Sequence, residues 1–415
     1  MSTQRVGSST GRANLVLTTL FLGMFVLGTA ELLVVGVLDL IAADMRVSIP
    51  AAGASVTGYA LGLAVGGPLL AALTIRLDKR TVLVGALVLF IMANLVTVLT
   101  ASYGLFLVAR VATGAFQGLF IAAAFGVGIS VVPPERMGRA ISVVVSGVTV
   151  SAALGVPLGT LVGQTLGWRG SFAAIVALSV IALIATLALV PSVPGTAGGA
   201  GRQARYAFAP RVLAVLVLHT LVFAAVFAAL TYIVPFLQIV TGISGAWVSA
   251  FLLAYGVATA VGSFGGGRFA DKNAARTLIA GTIGVVVALA VLHLLGAIAL
   301  LAAIAVLALG LFGMGMAPSL QYRVVSLAGP GAALAQSLPA SAVNVGIALG
   351  SFAGGVAIER STASSTVLPG LAIAVIAVGV AWATRNLAPP VVDAADAAVE
   401  PAQPGPASLT NDTHL

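Results

Sequence analysis

The chain has no cysteine in its 415 residues, which excludes disulfides, thiolate nucleophiles and cysteine-ligated metals and leaves the redox compartment open. Histidine is nearly as scarce. His219, His293 and His414 stand far apart with no His-Glu cluster beside them, so no metal site is expected. Charge is sparse as well, at 7% of residues against 60% hydrophobic. A soluble globular domain carries about 25% charged residues, so this chain is not one. The net charge of +8 comes from 19 basic residues spread over 415, too thin a distribution to track phosphates, and nucleic acid is not expected as a partner. With no cluster of His, Cys and carboxylates, an enzyme is disfavoured, and with no soluble output domain, so is a sensor.

What the chain has instead is long apolar runs. The first, Leu15 to Ile41, follows a polar opening with Arg5 and Arg12. At about 1.5 Å per residue it exceeds a hydrocarbon core of roughly 30 Å. It continues well past the small residues Gly28 to Ala30, so it reads as an uncleaved membrane helix rather than a signal peptide. Further spans are expected at Ala51–Leu73, Thr81–Ala101, Leu105–Val131, Ala140–Gly163 and Phe172–Val190, then at Arg211–Leu237, Ala246–Phe269, Thr277–Leu295, Ala297–Val324, Ala332–Ile358 and Val367–Thr384. This gives an all-α integral membrane protein of twelve spans. Its expected parts are a cytoplasmic tail (1–14), a six-helix bundle (15–190), a cytoplasmic linker rich in Pro, Gly and Arg (191–210), a second six-helix bundle (211–385) and a disordered tail (386–415).

Two features test that count. Fifteen of the nineteen Lys and Arg residues fall on ends and loops of one parity, whereas Arg46, Arg169 and Arg360 lie on the other and Arg110 lies inside a span. The positive-inside rule then places both termini and the linker in the cytoplasm. The chain also repeats. A shift of 196 lays Tyr59–Gly66 on Tyr255–Gly262, and a shift of 195 lays Ser146–Gly163 on Ser341–Ile358, as expected of two pseudo-symmetric halves.

Glu31 lies inside the first span, where a charge costs on the order of 3 kcal/mol on insertion scales, so function is its default reading and a structural ion pair the alternative. Arg110 lies about 10 Å inside span 4, at a depth matching that of Glu31. A neighbouring cation favours a charged carboxylate and desolvation favours the neutral acid, so such a pair in a cavity that alternately wets and dries can load and release a proton. A permanent ion pair is the competing reading. Asp39 ends span 1 and reads as a solvated surface acid, with a role in proton entry as the alternative. Asn94, Gln117, His219, Tyr232 and Asn344, with Gln238 and Tyr255, are polar groups within spans. Most are expected to bond between helices, and the first five are the candidates to line a largely apolar substrate cavity.

Four stretches carry a family resemblance: TAELLVVGVLDLIAADMRVS after Gly28, GGPLLAALTIRLDKRTVL from Gly66, LVARVATGAFQG from Leu107, and SGVTVSAALGVPLGTLVGQTLGWRGSF from Ser146. Over roughly residues 14–385 the chain resembles the major facilitator superfamily, and within it the twelve-span drug/proton antiporters, including actinobacterial chloramphenicol-resistance exporters and sugar-efflux relatives. The resemblance implies a multi-pass plasma-membrane protein, expected to be monomeric, that binds a small molecule and protons within the bilayer and uses the proton gradient but no cofactor. It implies proton-coupled export of small, largely apolar compounds, chloramphenicol-like antibiotics foremost, with export of a sugar, nucleoside or amino acid metabolite as the alternative. It places Arg110 near the proton-carrying carboxylate. It assigns gating to Arg76, Asp78 and Arg80 in the loop after span 2 and to Asp271 and Lys272 in its second copy, although Ile75 stands where the family has aspartate. In span 5, Gly155 and Gly159 read as a close-packing face and Pro157 as a kink, which together resemble the signature of proton-coupled exporters. The second copy has Phe352 in place of Pro157, so the halves are not equivalent.

Overall fold

A computed structural model describes residues 4–133, 136–195, 205–335 and 338–390. Most of the expected linker (196–204) and of the tail (391–415) lies outside the described residues. The described chain is helical throughout, and its membrane-length helices follow the expected order: span 1 Gly11–Gly36, span 2 Ile49–Leu73, span 3 Lys79–Leu99 and span 4 Tyr103–Ser130. A continuous stretch Ala140–Leu189 follows and is divided by Gly167 into spans 5 and 6. Gly167 has φ 74° and ψ 163°, a conformation that favours glycine, and it turns the chain between the two. After the linker come span 7 Pro210–Ile239, span 8 Ala246–Gly267, span 9 Lys272–Leu295, span 10 Ala299–Gly331, span 11 Leu338–Arg360 and span 12 Ala363–Thr384. Asn273, with φ −164° and ψ 91°, breaks the helical geometry at the start of span 9.

Several boundaries differ from expectation: span 9 begins at Lys272 rather than Thr277, span 10 runs to Gly331 rather than Val324, span 11 begins at Leu338 rather than Ala332, span 12 begins at Ala363 rather than Val367, and span 1 ends short of Ile41. Span 1 stops at Gly36 because Val37 leaves helical geometry (φ −128°, ψ 20°), and a short helix Leu38–Met45 follows with Asp39 in its first turn. Hydropathy runs unbroken through this point and does not register the break.

Spans 1 and 7 are the innermost helices, with 72% and 67% of their apolar stretches buried against 28–50% elsewhere. Span 5 packs on span 1 through glycine. A Cβ on Gly155 would overlap Thr29 Oγ1, and one on Gly159 would lie 2.6 Å from Leu33 Cδ1, so bulk at either would push span 1 away. The same contacts recur 195 residues later, where Gly350 meets the Ala224 carbonyl and Gly354 the Ala228 carbonyl. Spans 2 and 4 approach as closely, with Gly114 against the Tyr59 carbonyl, and 196 residues on Gly310 lies against the Tyr255 carbonyl. The repeat seen in the sequence is thus a repeat of helix contacts.

At Pro157, where a kink is expected, the helix changes its hydrogen-bond pattern. The turn just before this residue, Ser151–Gly155, is π-helical, as proline without an N–H leaves an upstream carbonyl unpaired and the backbone widens to compensate. Span 2 repeats this arrangement, with a π-helical Gly62–Gly66 ahead of Pro68.

Candidate functional site

Glu31 sits on span 1 between the Thr29 and Leu33 contacts with span 5, and it is half-buried. Spans 1 and 4 are antiparallel, and this decides which partner its carboxylate meets. Side chains on a helix lean toward its N-terminus, so the Glu31 carboxylate leans toward the start of span 1. Gln117 lies two turns beyond Arg110 along span 4, in that same direction. Accordingly Gln117 Nε2 donates to Glu31 Oε2 at 2.6 Å. The guanidinium of Arg110 instead donates to backbone oxygens of span 1, Ala30 O at 3.0 Å and Glu31 O at 3.4 Å. The two charged groups therefore share one depth, as expected, but no direct Arg110–Glu31 carboxylate ion pair forms in this conformation.

Arg110 is fully buried, at 0% exposure. It is held by two aromatic faces, with its guanidinium carbon 4.2 Å from the ring centre of Tyr59 and 5.6 Å from that of Phe172. Its Nε has no hydrogen-bond partner among the described residues. The Tyr59 hydroxyl donates to Gln117 Oε1. A connected cluster results, running Tyr59–Gln117–Glu31 with Arg110 stacked on Tyr59. Tyr59 is absent from the candidates drawn from the sequence, where its one visible signal is that it anchors the repeat with Tyr255.

The structure moves several other candidates. Gln117, expected in the substrate cavity, is bonded to Glu31. Asn94 and Asn344 donate to carbonyls of their own helices, Phe90 O at 2.8 Å and Ala340 O at 2.9 Å. His219 is buried in a tilted stack on Phe223 with ring centres 5.5 Å apart. Tyr232 is buried where its ring fills a notch between Gly53 of span 2 and Gly354 and Gly355 of span 11, and its hydroxyl donates to Ser351 O at 2.9 Å. The five cavity candidates do not converge on one site. In a bilayer a polar side chain gains most by satisfying itself on the nearest carbonyl or the adjoining helix; Asn94, Asn344, Gln117 and Tyr232 do so, and His219 lies buried. A cavity of about 450 Å³ lined by Trp247, Phe251 and Ala303 among others shares no residue with the Glu31 cluster.

Asp39 is corrected as well. It is a half-buried group that joins the two halves, accepting a hydrogen bond from Gln238 Nε2 at 2.8 Å, rather than a freely solvated acid. Two more hydrogen bonds cross between the halves, Gln164 Nε2 to Gly245 O at 3.0 Å and Thr57 Oγ1 to Ala348 O at 3.4 Å. Together with Tyr232 in its notch, these contacts close the end of the molecule that is poor in arginine. The same end is braced within the first half, where Arg169 pairs with Asp44 and donates to Val98 O at 3.1 Å and Thr100 O at 3.0 Å. That pairing holds the Asp44 carboxyl below the ordinary carboxylate range.

At the arginine-rich end, Asp78 caps span 3 by accepting from Thr81 N at 3.1 Å and also accepts from Ser192 Oγ at 2.5 Å. The Ser192 bond is the main reason its carboxyl lies below the usual range. Arg80 donates to Leu187 O at 2.5 Å and Lys79 N to Val193 O at 2.8 Å, while Gly195 abuts the Arg76 backbone. All of these bonds stay within the first half and tie its loop to the start of the linker. Lys272 is exposed at the start of span 9, and the side chain of Asp271 lies outside the described part of the structure.

The C-terminal half keeps the helix contacts of this cluster without its chemistry. Gly313 occupies the position of Gln117 and touches Val226, which stands where Glu31 would be, and Val306 replaces Arg110. Only the tyrosine is retained, as Tyr255.

A model of the Major Facilitator Superfamily matches residues 20–337. The chain is 34% identical over 356 residues to an uncharacterized MFS-type transporter, YtbD, of Bacillus subtilis (strain 168), spanning 84% of this chain and 90% of that protein. It is 31% identical over 330 residues to a chloramphenicol resistance protein of Streptomyces lividans, spanning 78% of this chain and 84% of that one. Among solved structures, a bacterial homologue of the human lysosomal transporter Spinster, inward-facing and occupied, superposes with a TM-score of 0.74 over 89% of this chain and 96% of its own, at 16% identity, a likeness that shows the fold. These relatives are transporters rather than enzymes, and the chain, a multi-pass membrane transporter, belongs to the Major Facilitator Superfamily.

Proposed function

We propose that the protein exports small, largely apolar compounds in exchange for protons by alternating access, with chloramphenicol-like antibiotics as the leading class and with both termini in the cytoplasm of a cell bounded by this plasma membrane. The observation that carries the coupling is Glu31, a half-buried carboxylate inside a span whose side-chain partner is the neutral amide of Gln117 at 2.6 Å. A carboxylate held this way keeps its proton exchange open, whereas a direct ion pair would fix it in the charged form. Arg110 anchors the backbone on which Glu31 rides, so a change of charge at Glu31 acts on the contact between spans 1 and 4. Span 1 lies against the π-helical turn Ser151–Gly155, a point where span 5 can yield without breaking further backbone bonds. The loops carrying Arg76, Asp78, Arg80, Asp271 and Lys272 are read as the gate at the cytoplasmic end. The substrate class draws on the Streptomyces lividans relative and on the apolar character of the second half.

The test is uptake of radiolabelled chloramphenicol and several unrelated compounds into everted vesicles, with and without an imposed pH gradient. Wild type should accumulate the transported compound only with the gradient, and Glu31→Gln, which keeps shape and removes titration, should not. Gradient-driven uptake by Glu31→Gln at the wild-type rate would reject Glu31 as the proton carrier.

A further inference from the structure

Tyr59 is 1% exposed, and its two ends touch different members of the cluster. Its hydroxyl bonds Gln117 Oε1, and its ring lies 4.2 Å from the guanidinium of Arg110. The hydroxyl bond bears directly on Glu31. A primary amide presents a donor edge and an acceptor edge that are nearly identical in shape, and which edge faces a carboxyl group is set by what holds the other edge. With the Tyr59 hydroxyl donating to Oε1, the Nε2 donor is turned toward Glu31 Oε2, the arrangement that suits a carboxylate. A hydroxyl both donates and accepts. If the amide turns over, Nε2 donates to the Tyr59 oxygen and Oε1 accepts from a protonated Glu31. Tyr59 can thus satisfy either orientation, and each orientation matches one protonation state of Glu31.

From this geometry we infer that Tyr59 is a positioning residue for proton exchange, acting through the orientation of the Gln117 amide; the inference rests on the coupling reading of Glu31. The ionisable groups that act on Glu31 are Arg110 from span 4 and Tyr59 from span 2, while span 5 meets span 1 beside it with Gly155 and Gly159. The repeat supplies an internal control. Tyr255 occupies the equivalent place, its carbonyl against Gly310 as that of Tyr59 is against Gly114, but Gly313, Val226 and Val306 give it no amide, carboxylate or cation to position.

The experiment is an infrared pH titration of the carboxylic-acid carbonyl band in the purified full-length protein reconstituted in liposomes, with the Glu31 band identified by its loss in Glu31→Gln. This readout needs no transported compound. Tyr59→Phe keeps the ring and removes the hydroxyl, and it should displace the midpoint of the Glu31 band by about half to one pH unit, the equivalent of one hydrogen bond. Gln117→Leu should displace it similarly, and in the double variant Tyr59→Phe should add nothing further, since both act through one amide. Tyr255→Phe should leave the midpoint in place. An unchanged midpoint in Tyr59→Phe, additive effects in the double variant, or an equal displacement by Tyr255→Phe would each overturn the inference. Failure of the coupling reading is distinguishable: there Glu31→Gln removes the band and still exports, whatever Tyr59 does. If no band is lost in Glu31→Gln across the titration, both readings fall together.

Discussion

Replacing Arg110 by methionine separates what the cation does for folding from what it does for transport. Arg110 makes two charge-assisted hydrogen bonds, to Ala30 O and Glu31 O, each worth about 1.5–3 kcal/mol, and it stacks on Tyr59 for about 2 kcal/mol more when desolvated. Against these stands the penalty for burying a guanidinium at 0% exposure, which is several kcal/mol per ion even after relaxation. The terms nearly cancel, so a side chain of similar length with no charge should change stability by no more than about 2 kcal/mol in either direction. Alanine is a different case. It leaves a cavity between spans 1, 2, 4 and 6 and should cost about 2–5 kcal/mol in addition to the lost bonds. Arg110→Met should therefore melt in detergent within a few degrees of wild type while losing gradient-driven export. Arg110→Lys keeps the charge, but its compact ammonium cannot serve both carbonyls and a ring face at once, so it should retain only a small part of the rate. Each rate is measured as initial uptake into everted vesicles at matched membrane content. Wild-type export by Arg110→Met would refute the coupling role of the cation, and a collapse in stability would refute the cancellation of the burial penalty by the bonds and the ring contact.

Three other outcomes are expected. Pro157→Ala should close the π-helical turn Ser151–Gly155 into regular helix, leaving the melting temperature unchanged or higher and turnover reduced, whereas Gly155→Leu should lower melting temperature, yield and transport together because its side chain has no room beside Thr29. Normal turnover in Pro157→Ala would make the widened turn incidental. Because the chain has no cysteine, Asp39→Cys with Gln238→Cys places a single thiol pair across the contact between halves, and bridging it with a short bifunctional thiol reagent should stop export reversibly. Unimpeded export by the bridged protein would show that this end need not open. The Asp44 carboxyl titrates below its ordinary value because of Arg169, so its stabilisation is present above the unfolded carboxylate range and is lost as pH falls through the lower folded value. Asp44 and Arg169 are 46% and 35% exposed, so the effect is screened and small: Asp44→Asn should lower the melting temperature slightly at neutral pH, and the gap should narrow in acid. A gap that widens in acid would contradict the pairing.

The parts of this molecule legible in its sequence are those where a residue is costly in its surroundings. Glu31 and Arg110 stand out because a charge inside an apolar run is expensive, and their common depth follows from helix rise alone. The glycines of span 5 are legible because their spacing puts them on one face. The direction in which each side chain meets its partner is not, since it depends on helix rotation and on the antiparallel approach of spans 1 and 4. This is why Gln117 rather than Arg110 holds the carboxylate, and why the guanidinium expected near that carboxylate bonds backbone oxygens beside it instead. Tyr59 was hidden for a related reason. A tyrosine in a span carries no charge, so nothing local marks it, and its partners lie on another helix. Asp39 read as a surface acid because the sequence shows where a span ends but not that Gln238, almost two hundred positions later, is brought against it.

The contrast between the halves gives the cluster its meaning. Helix contacts recur at a nearly constant shift, Gly155 on Thr29 as Gly350 on Ala224, and Gly114 on Tyr59 as Gly310 on Tyr255, so packing alone asks for the same residues in both copies. Packing does not ask for Glu31, Gln117 or Arg110, since Val226, Gly313 and Val306 fill the same places in the second copy. Valine there buries without penalty, whereas an arginine and a carboxylate must each be solvated by groups the fold supplies. A scaffold that is stable with valine and glycine at these positions therefore has no structural need of charge in the other copy. The charged version is the one whose presence requires a function, and its carboxylate stands on span 1, the most buried of the described spans, against which the widened turn of span 5 packs.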